Sequence, residues 1–350
     1  MTLDPATVTV IAPNLKKRYS GVTSTVLRLV PLQARDIAIA TVGPKLPAEI
    51  PQIRLRDLLT MPRRPRVWHA RRNNEMLAGL ALKHLLRQPL KLMFTSAAQR
   101  RHSGYTKQLI RRMDRVVATS ARSAAFLGVP AHVIHHGIDT DHFAPAPDRT
   151  ALRARLGLPA DKLLLGCFGR IRPSKGNDLF IDAMIAVLPD FPEAHAVMMG
   201  GVTDQFADYA ADLKSRAAAS PVADRIHILP EDPGWTIAPW FQAIDLYIAP
   251  QRNEGFGLTP LEAMSCGVPS IATDTGAFAE IVAPDETGLL IPTDDPAALQ
   301  AAIRATLSDP ARLSRWAAAC RPRATGGFRI ADEAAALIAI YRDLLDGSAG

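Results

Sequence analysis

The chain has 350 residues, 48% hydrophobic and 21% charged, with a formal net charge of +7. That length suits two domains, and the apolar content excludes a disordered chain. No apolar run reaches the roughly 18 residues of a membrane span, no signal-peptide pattern opens the chain, and Cys167, Cys266 and Cys320 are too dispersed for a disulfide or metal framework, so a cytoplasmic protein is expected.

Along the first half, strands are expected at 7–13, 36–42, 67–70, 92–96, 115–119 and 132–135, with helices at 22–32, 74–86 and 106–113. Near Phe143-Ala-Pro-Ala-Pro the chain turns proline-rich, as a linker does. A second series follows, with strands at 163–168, 194–199, 225–229, 246–249, 270–272 and 288–291. Helices are expected at 177–188, 205–218, 260–265 and 296–308. A last helix, 330–345, has no strand after it. The fold class is therefore α/β, with two parallel-sheet domains over 1–145 and 146–328 and a terminal helical segment, 329–350. Ligands of such sheets bind at the carboxyl ends of the strands.

Two segments at strand ends carry chemistry. Gly169-Arg170-Ile-Arg-Pro-Ser-Lys175-Gly176 frames two cations that could clamp a diphosphate, although a solvated basic loop reads the same way. Glu254-Gly-Phe-Gly-Leu-Thr-Pro-Leu-Glu262 places two carboxylates around a turn that leads into a helix start. Thr259 is expected as its N-cap, Pro260 suits the first helical position, and Gly267 with Pro269 ends the helix. Free N–H groups at such a start attract phosphate, and an ionised carboxylate suits ligand hydroxyls. Glu262 also completes a capping-box spacing with Thr259, so a structural role competes with a ligand role.

These motifs, continued by Thr275-Gly276…Glu280, Thr287-Gly288-Leu-Leu and Asp294-Asp-Pro, resemble retaining glycosyltransferase family 4. His136-Gly-Ile-Asp139…Phe143 is similar to the family's Asn-Gly-Val-Asp segment, with His136 in place of the asparagine. The resemblance is dense from about 131 to 310. It implies the GT-B fold, two Rossmann-like domains facing across a cleft, the first for acceptor and the second for a nucleotide-sugar donor, with the terminal helix returning to the first domain. By position it implies that Arg170 and Lys175 hold the diphosphate and that Glu254 accepts from sugar hydroxyls. Backbone N–H groups around Phe256, Gly257 and Leu258 would meet sugar and phosphate, and Glu262 the ribose. Catalysis would rest on Glu254, Arg170 and Lys175, with no cofactor and no metal. Asp139-Thr-Asp141 matches a metal-binding Asp-x-Asp pattern, but its place fits a structural turn of the family. Gly21 falls where the family brings backbone close to the diphosphate, with Ser20 at the first of two usual glycine positions; a plain loop glycine is the alternative. His102 lies near the place of a family histidine and is equally readable as a surface residue. Glu231, after the strand at 225–229, could accept from both guanine N1–H and N2–H, which favours GDP over UDP; a solvated acidic turn is the alternative.

Charge is uneven: residues 1–150 hold 24 Lys and Arg against 9 Asp and Glu, and the remainder 17 against 25. Seven arginines lie within 54–72 and a further basic set within 100–122. Such a surface suits an anionic membrane or an acidic acceptor, with a plain solvated basic face as the alternative and no motif for reading nucleic acid. The segment from Trp68 to Met76, with Arg100-Arg101-His102, is similar to bacterial lipopolysaccharide core mannosyltransferases. This implies transfer of mannose from GDP-mannose to a Kdo-containing glycolipid, Arg72, Arg101 and His102 at the acceptor, and a peripheral place on the cytoplasmic face of the inner membrane. The alternatives are a UDP-sugar hexosyltransferase of exopolysaccharide or capsule synthesis, and a non-catalytic nucleotide-sugar-binding protein.

Overall fold

The structure, a computed structural model, describes residues 2–17, 21–232 and 237–347; Ser20 lies outside them. The chain forms two compact units. One is Met1–Gly137 together with Ile330–Gly350, the other Ile138–Arg329. The break after Gly137 precedes the proline-rich stretch because Ile138 and Phe143 are buried in the core of the second unit.

The first unit alternates β1 (Val10–Pro13), α1 (Gly21–Gln33), β2 (Ile39–Val42), α2 (Asp57–Thr60), β3 (Arg66–Ala70), α3 (Asn73–His84), β4 (Leu90–Ser96), α4 (Gly104–Ile110), β5 (Arg115–Ala118), α5 (Ala121–Ala125) and β6 (His132–Val133). The strands form one sheet in the order β2-β1-β3-β4-β5-β6, every pair parallel. β1, β2 and β3 are buried at every position, because apolar side chains cover both faces of the sheet. One face packs on residues of α2, α3 and α4, including Leu58, Met76, Leu80 and Leu109. The other packs on Val26, Leu29 and Val30 of α1.

The second unit contains α6 (Arg149–Arg155), β7 (Leu163–Phe168), α7 (Asn177–Val187), β8 (Ala194–Met199), α8 (Ala207–Ala218), β9 (Ile226–Leu229), α9 (Ala238–Ala243), β10 (Leu246–Ala249), α10 (Thr259–Ser265), β11 (Ser270–Thr273), α11 (Phe278–Ile281), β12 (Gly288–Ile291), α12 (Pro296–Leu307) and α13 (Pro310–Gly327). Its sheet runs β12-β11-β10-β7-β8-β9, again all parallel. Aspartates cap α6, α12 and α13: Asp148, Asp295 and Asp309 each accept from the backbone N–H three residues on, at 2.9 Å.

The last helix, α14 (Ile330–Asp346), belongs to the first unit. Ile330, Leu337, Ile338, Tyr341 and Leu344 complete the core over α1. Buried His69 on β3 ties it down: Nδ1 lies 2.6 Å from the Tyr341 hydroxyl, and Nε2 lies 2.6 Å from Thr95 Oγ1. Burial holds the His69 pKa well below its ordinary value, with the Arg71 charge adding to the effect. At the junction, Ile138 N–H donates to Phe328 O at 2.8 Å. Glu333 accepts from Gly137 N–H at 2.8 Å and pairs with His136 Nδ1 at 2.7 Å.

Candidate active site

In a parallel sheet the crevice opens where neighbouring strands send their chains to opposite sides. In the second unit this point lies between β7 and β10. The chain proceeds from β7 to β8 and β9 on one side, and from β10 to β11 and β12 on the other. The two motif loops leave from the carboxyl ends of these two strands. At the crevice Lys175 Nζ pairs directly with Glu254 Oε2, both side chains about one-fifth exposed, and Glu254 Oε1 accepts from Gly255 N–H at 3.0 Å. Residues 79 apart in sequence thus meet at one site. Arg170, on the same loop as Lys175, is exposed and has no ion-pair or hydrogen-bond partner among the described residues.

Arg252 locks the two loops together, and sequence reasoning missed it. Its guanidinium donates to both Asp178 oxygens at 2.8 Å, to Asp294 at 2.6 Å and to Pro173 O at 2.6 Å. Its own N–H donates to Ser174 O at 3.1 Å. The hydrogen bonds to Asp178 raise the Arg252 pKa further. Burial works to raise the Asp178 pKa, but hydrogen bonds from Arg252 and Tyr209 and the Arg252 charge outweigh it, so the net shift is downward. Two positions in these loops admit no side chain. A Cβ on Gly176, at φ +68°, would strike Pro250 O, and one on Gly257, at φ +87°, would strike the Phe278 ring.

The helix after the second motif differs from the expected reading. α10 begins with Thr259 as its first residue, Leu258 is the N-cap, and no side chain caps it. The buried Tyr247 hydroxyl close to it donates to Phe168 O at 3.0 Å. Glu262 is then one position beyond that of a capping-box glutamate. It is half-buried near Tyr247 and Cys266 and helps to raise both their pKa values, after the larger effect of burial. Phe256 is buried, with its carbonyl accepting from Ala277 N–H at 2.8 Å, and Gly257 and Leu258 are half-buried beside it. Beyond β8, a Cβ on Gly200 would strike Gly169 O, and one on Gly201 would strike the Glu231 carboxylate. Glu231 is exposed at the end of β9, while its neighbour Asp232 accepts from Trp240 Nε1 at 2.5 Å. Asp139 Oδ1 accepts from the N–H groups of Asp141 and His142 at 3.1 and 3.0 Å, which makes Asp139-Thr-Asp141 an Asx turn. No group of three His, Cys, Asp or Glu among the described residues comes together as metal ligands.

The first unit has its own switch point, between β1 and β3. There Arg72 donates to Asn14 Oδ1 at 2.9 Å, to Thr23 Oγ1 at 3.0 Å and to Glu75 at 2.7 Å. Glu75 is wholly buried and Arg72 nearly so. Asn14, Thr23 and Glu75 carried no sequence signal. Arg72 is therefore a buried organiser of this edge rather than an extended surface cation. Gly21 opens α1, and a Cβ there would meet no protein atom within 4 Å. Arg101 is exposed on the loop after β4. His102 beside it is half-buried, its Nε2 buried without a hydrogen-bond partner in the described structure. Burial lowers its pKa, and the charges of Arg100 and Lys107 add to the effect. The structure therefore brings Lys175, Glu254 and the Phe256–Leu258 turn together in the second unit. Gly21, Arg72, Arg101 and His102 follow strands of the first.

Residues 148–323 match the family described as glycosyl transferases group 1. The chain is 50% identical over 351 aligned residues to the lipopolysaccharide core biosynthesis mannosyltransferase LpsB of Rhizobium meliloti (strain 1021), covering 98% of this chain and 99% of that protein. It is 48% identical over 344 residues to the lipopolysaccharide core biosynthesis mannosyltransferase LpcC of Rhizobium leguminosarum bv. viciae, covering 97% of each. The crystal structure of Anabaena Alr3699/HepE in complex with UDP superimposes with a TM-score of 0.82 at 18% identity, over 95% of this chain and 99% of that one, a likeness of the GT-B fold. With the paired parallel sheets and the motif loops at their carboxyl edges, these similarities establish the chain as a member of the group 1 glycosyltransferases.

Proposed function

We propose that the enzyme transfers mannose from GDP-mannose to the Kdo-containing inner core of lipopolysaccharide, with retention at the anomeric carbon and without a metal. Similarity at 50% identity over nearly the whole chain to a lipopolysaccharide core mannosyltransferase carries the reading. The sugar–oxygen bond to the diphosphate breaks, and negative charge grows on the leaving oxygens. Arg170 and Lys175 stabilise that charge, with backbone N–H groups of the Phe256–Leu258 turn. Glu254, released from Lys175 as the diphosphate takes the ammonium, accepts from hydroxyls of the sugar. The acceptor hydroxyl attacks from the face that the diphosphate leaves, and its proton passes to the departing phosphate. Glu262 holds the ribose, a role supported by the absence of a capping box. Gly21, with room above it, lets backbone approach the diphosphate. Glu231 reads guanine, because its acceptor oxygens suit two adjacent N–H donors and uracil offers one. Arg101 and His102 meet the acidic acceptor, and Arg72 orders the edge beneath them. No helix among the described residues is long and apolar enough to cross a membrane. We assign the enzyme to the cytoplasmic face of the inner membrane as a peripheral protein.

The test supplies the purified enzyme with labelled GDP-mannose, UDP-glucose or UDP-N-acetylglucosamine and a Kdo-terminated lipid A precursor. Label should move from GDP-mannose, with and without EDTA. Transfer confined to a UDP-sugar would sink the mannose reading. In Glu231→Ala the preference for GDP over UDP should fall by about tenfold, the cost of one good base contact.

A further inference from the structure

Six of the eight large hydrophobic side chains that stand exposed among the described residues lie between residues 55 and 105. They gather on one side of the first unit. Leu55 and Leu59 are 62% and 64% exposed on and before α2, Leu77 is half-exposed on α3, and Leu85 is 79% exposed just beyond it. Leu77 and Leu85 are eight positions apart, so they follow one stripe of the helix. Tyr105 stands out at the start of α4. These elements are joined. Arg63 donates to Leu86 O at 3.4 Å, Asn73 on α3 donates to Thr106 on α4 at 2.8 Å, and Lys83 pairs with Asp114 at 2.8 Å. α2, α3 and α4 all cover the same face of the sheet, so their outer sides form one surface.

Its charge is one-sided. Residues 54–112 hold fifteen Lys and Arg against two acids, Asp57 and Glu75. Glu75 is buried on Arg72, and Asp57 accepts from Arg54 N–H at 2.8 Å. Not every arginine contributes. Arg66 is wholly buried, donating to Val8 O at 2.9 Å and Pro62 O at 2.6 Å, and Arg72 is turned inward. Arg54, Arg56, Arg63 and Arg87 stay exposed around the leucines, and Arg101, Lys107 and Arg112 around Tyr105. Scattered apolar tips inside a field of cations, with an aromatic hydroxyl among them, match the boundary of an anionic bilayer, where apolar groups enter the acyl region and cations remain with the headgroups.

We propose that this outer surface of α2, α3 and α4 is the membrane-docking face of the enzyme, with Leu55, Leu59 and Leu85 entering an anionic leaflet. The inference adds a defined surface to the proposed peripheral location, and its test uses neither donor nor acceptor, so the transfer reaction can fail independently. Full-length protein is sedimented with phosphatidylcholine vesicles with and without 30% phosphatidylglycerol. Binding to the anionic vesicles is expected, with little to the neutral ones. Leu55→Ser/Leu59→Ser/Leu85→Ser should weaken it at least tenfold with an unchanged melting temperature, whereas Val202→Ser in the second unit should change it less than twofold. Equal binding by wild type and the triple variant would overturn the proposal. So would a dimer that the triple variant abolishes, because the surface would then cover a second copy of the chain.

Discussion

Lys175 and Glu254 are each other's partner, and this sets the effect of changing either. In the proposed reaction a donor diphosphate competes for the ammonium, and the sugar hydroxyls replace it at the carboxylate. Glu254→Ala removes the half-buried partner of Lys175. Turnover should fall by about 10²–10³-fold, the usual effect of losing one group poised on developing charge, with the melting temperature little altered; a transfer assay beside calorimetry checks both. An unchanged rate would return the chain to the non-catalytic alternative. Arg252 acts through others. Arg252→Lys cannot keep the fork on Asp178 while reaching Asp294 and Pro173 O, so the donor KM should rise by about tenfold with kcat changed less, an effect read by varying GDP-mannose. Sequence exposed Glu254 and Lys175 because they stand inside motifs. The role of Arg252, although two residues from Glu254, depends on Asp178 and Asp294, which no local pattern links to it.

Among the elements, β7, β8, β10 and β12 match the sequence expectation to the residue, because a buried parallel strand is a short apolar run bounded by turn residues. α13 was not legible: Pro322 lies inside it and Gly326-Gly327 ends it, and its burial on Trp316, Cys320 and Ala324 outweighs these local preferences. The start of α10 was misread because Thr259 is a good cap by type, but the backbone is already helical at Leu258, which makes Thr259 the first residue of the helix and not its cap. α14 makes a prediction of its own. His69 is neutral in the fold, so the stability it provides is complete above its ordinary pKa of 6.5 and is lost as pH falls below that value toward its lowered pKa. Melting temperature should therefore drop on acidification below about 6.5, and less steeply in His69→Gln. Tyr341→Phe removes the hydroxyl at His69 and should cost about 1 kcal/mol, measured by denaturant unfolding at pH 7.5.

For the whole molecule, the division after Gly137 and Arg329 leaves Arg170, Lys175, Glu254 and Glu262 together in one unit with its own core. Residues 138–329 expressed alone should fold and bind GDP, with weaker retention of the mannosyl donor than the full chain; calorimetric titration checks this, and an unfolded fragment would show that the division is not energetic. Two sheets, their order along the chain and the two motif loops at the strand ends were all legible from alternation and motifs. The cluster at Asn14, Thr23, Arg72 and Glu75 was not, because it assembles from three segments without a shared signature.

The return of α14 to the first unit bears on how the protein is made. A ribosome finishes residues 1–137 long before it reaches Ile330, so Val26, Leu29 and Val30 of the nascent first unit wait for their cover while the whole second unit is translated. The first sheet thus carries an uncovered apolar flank until α14 has been translated.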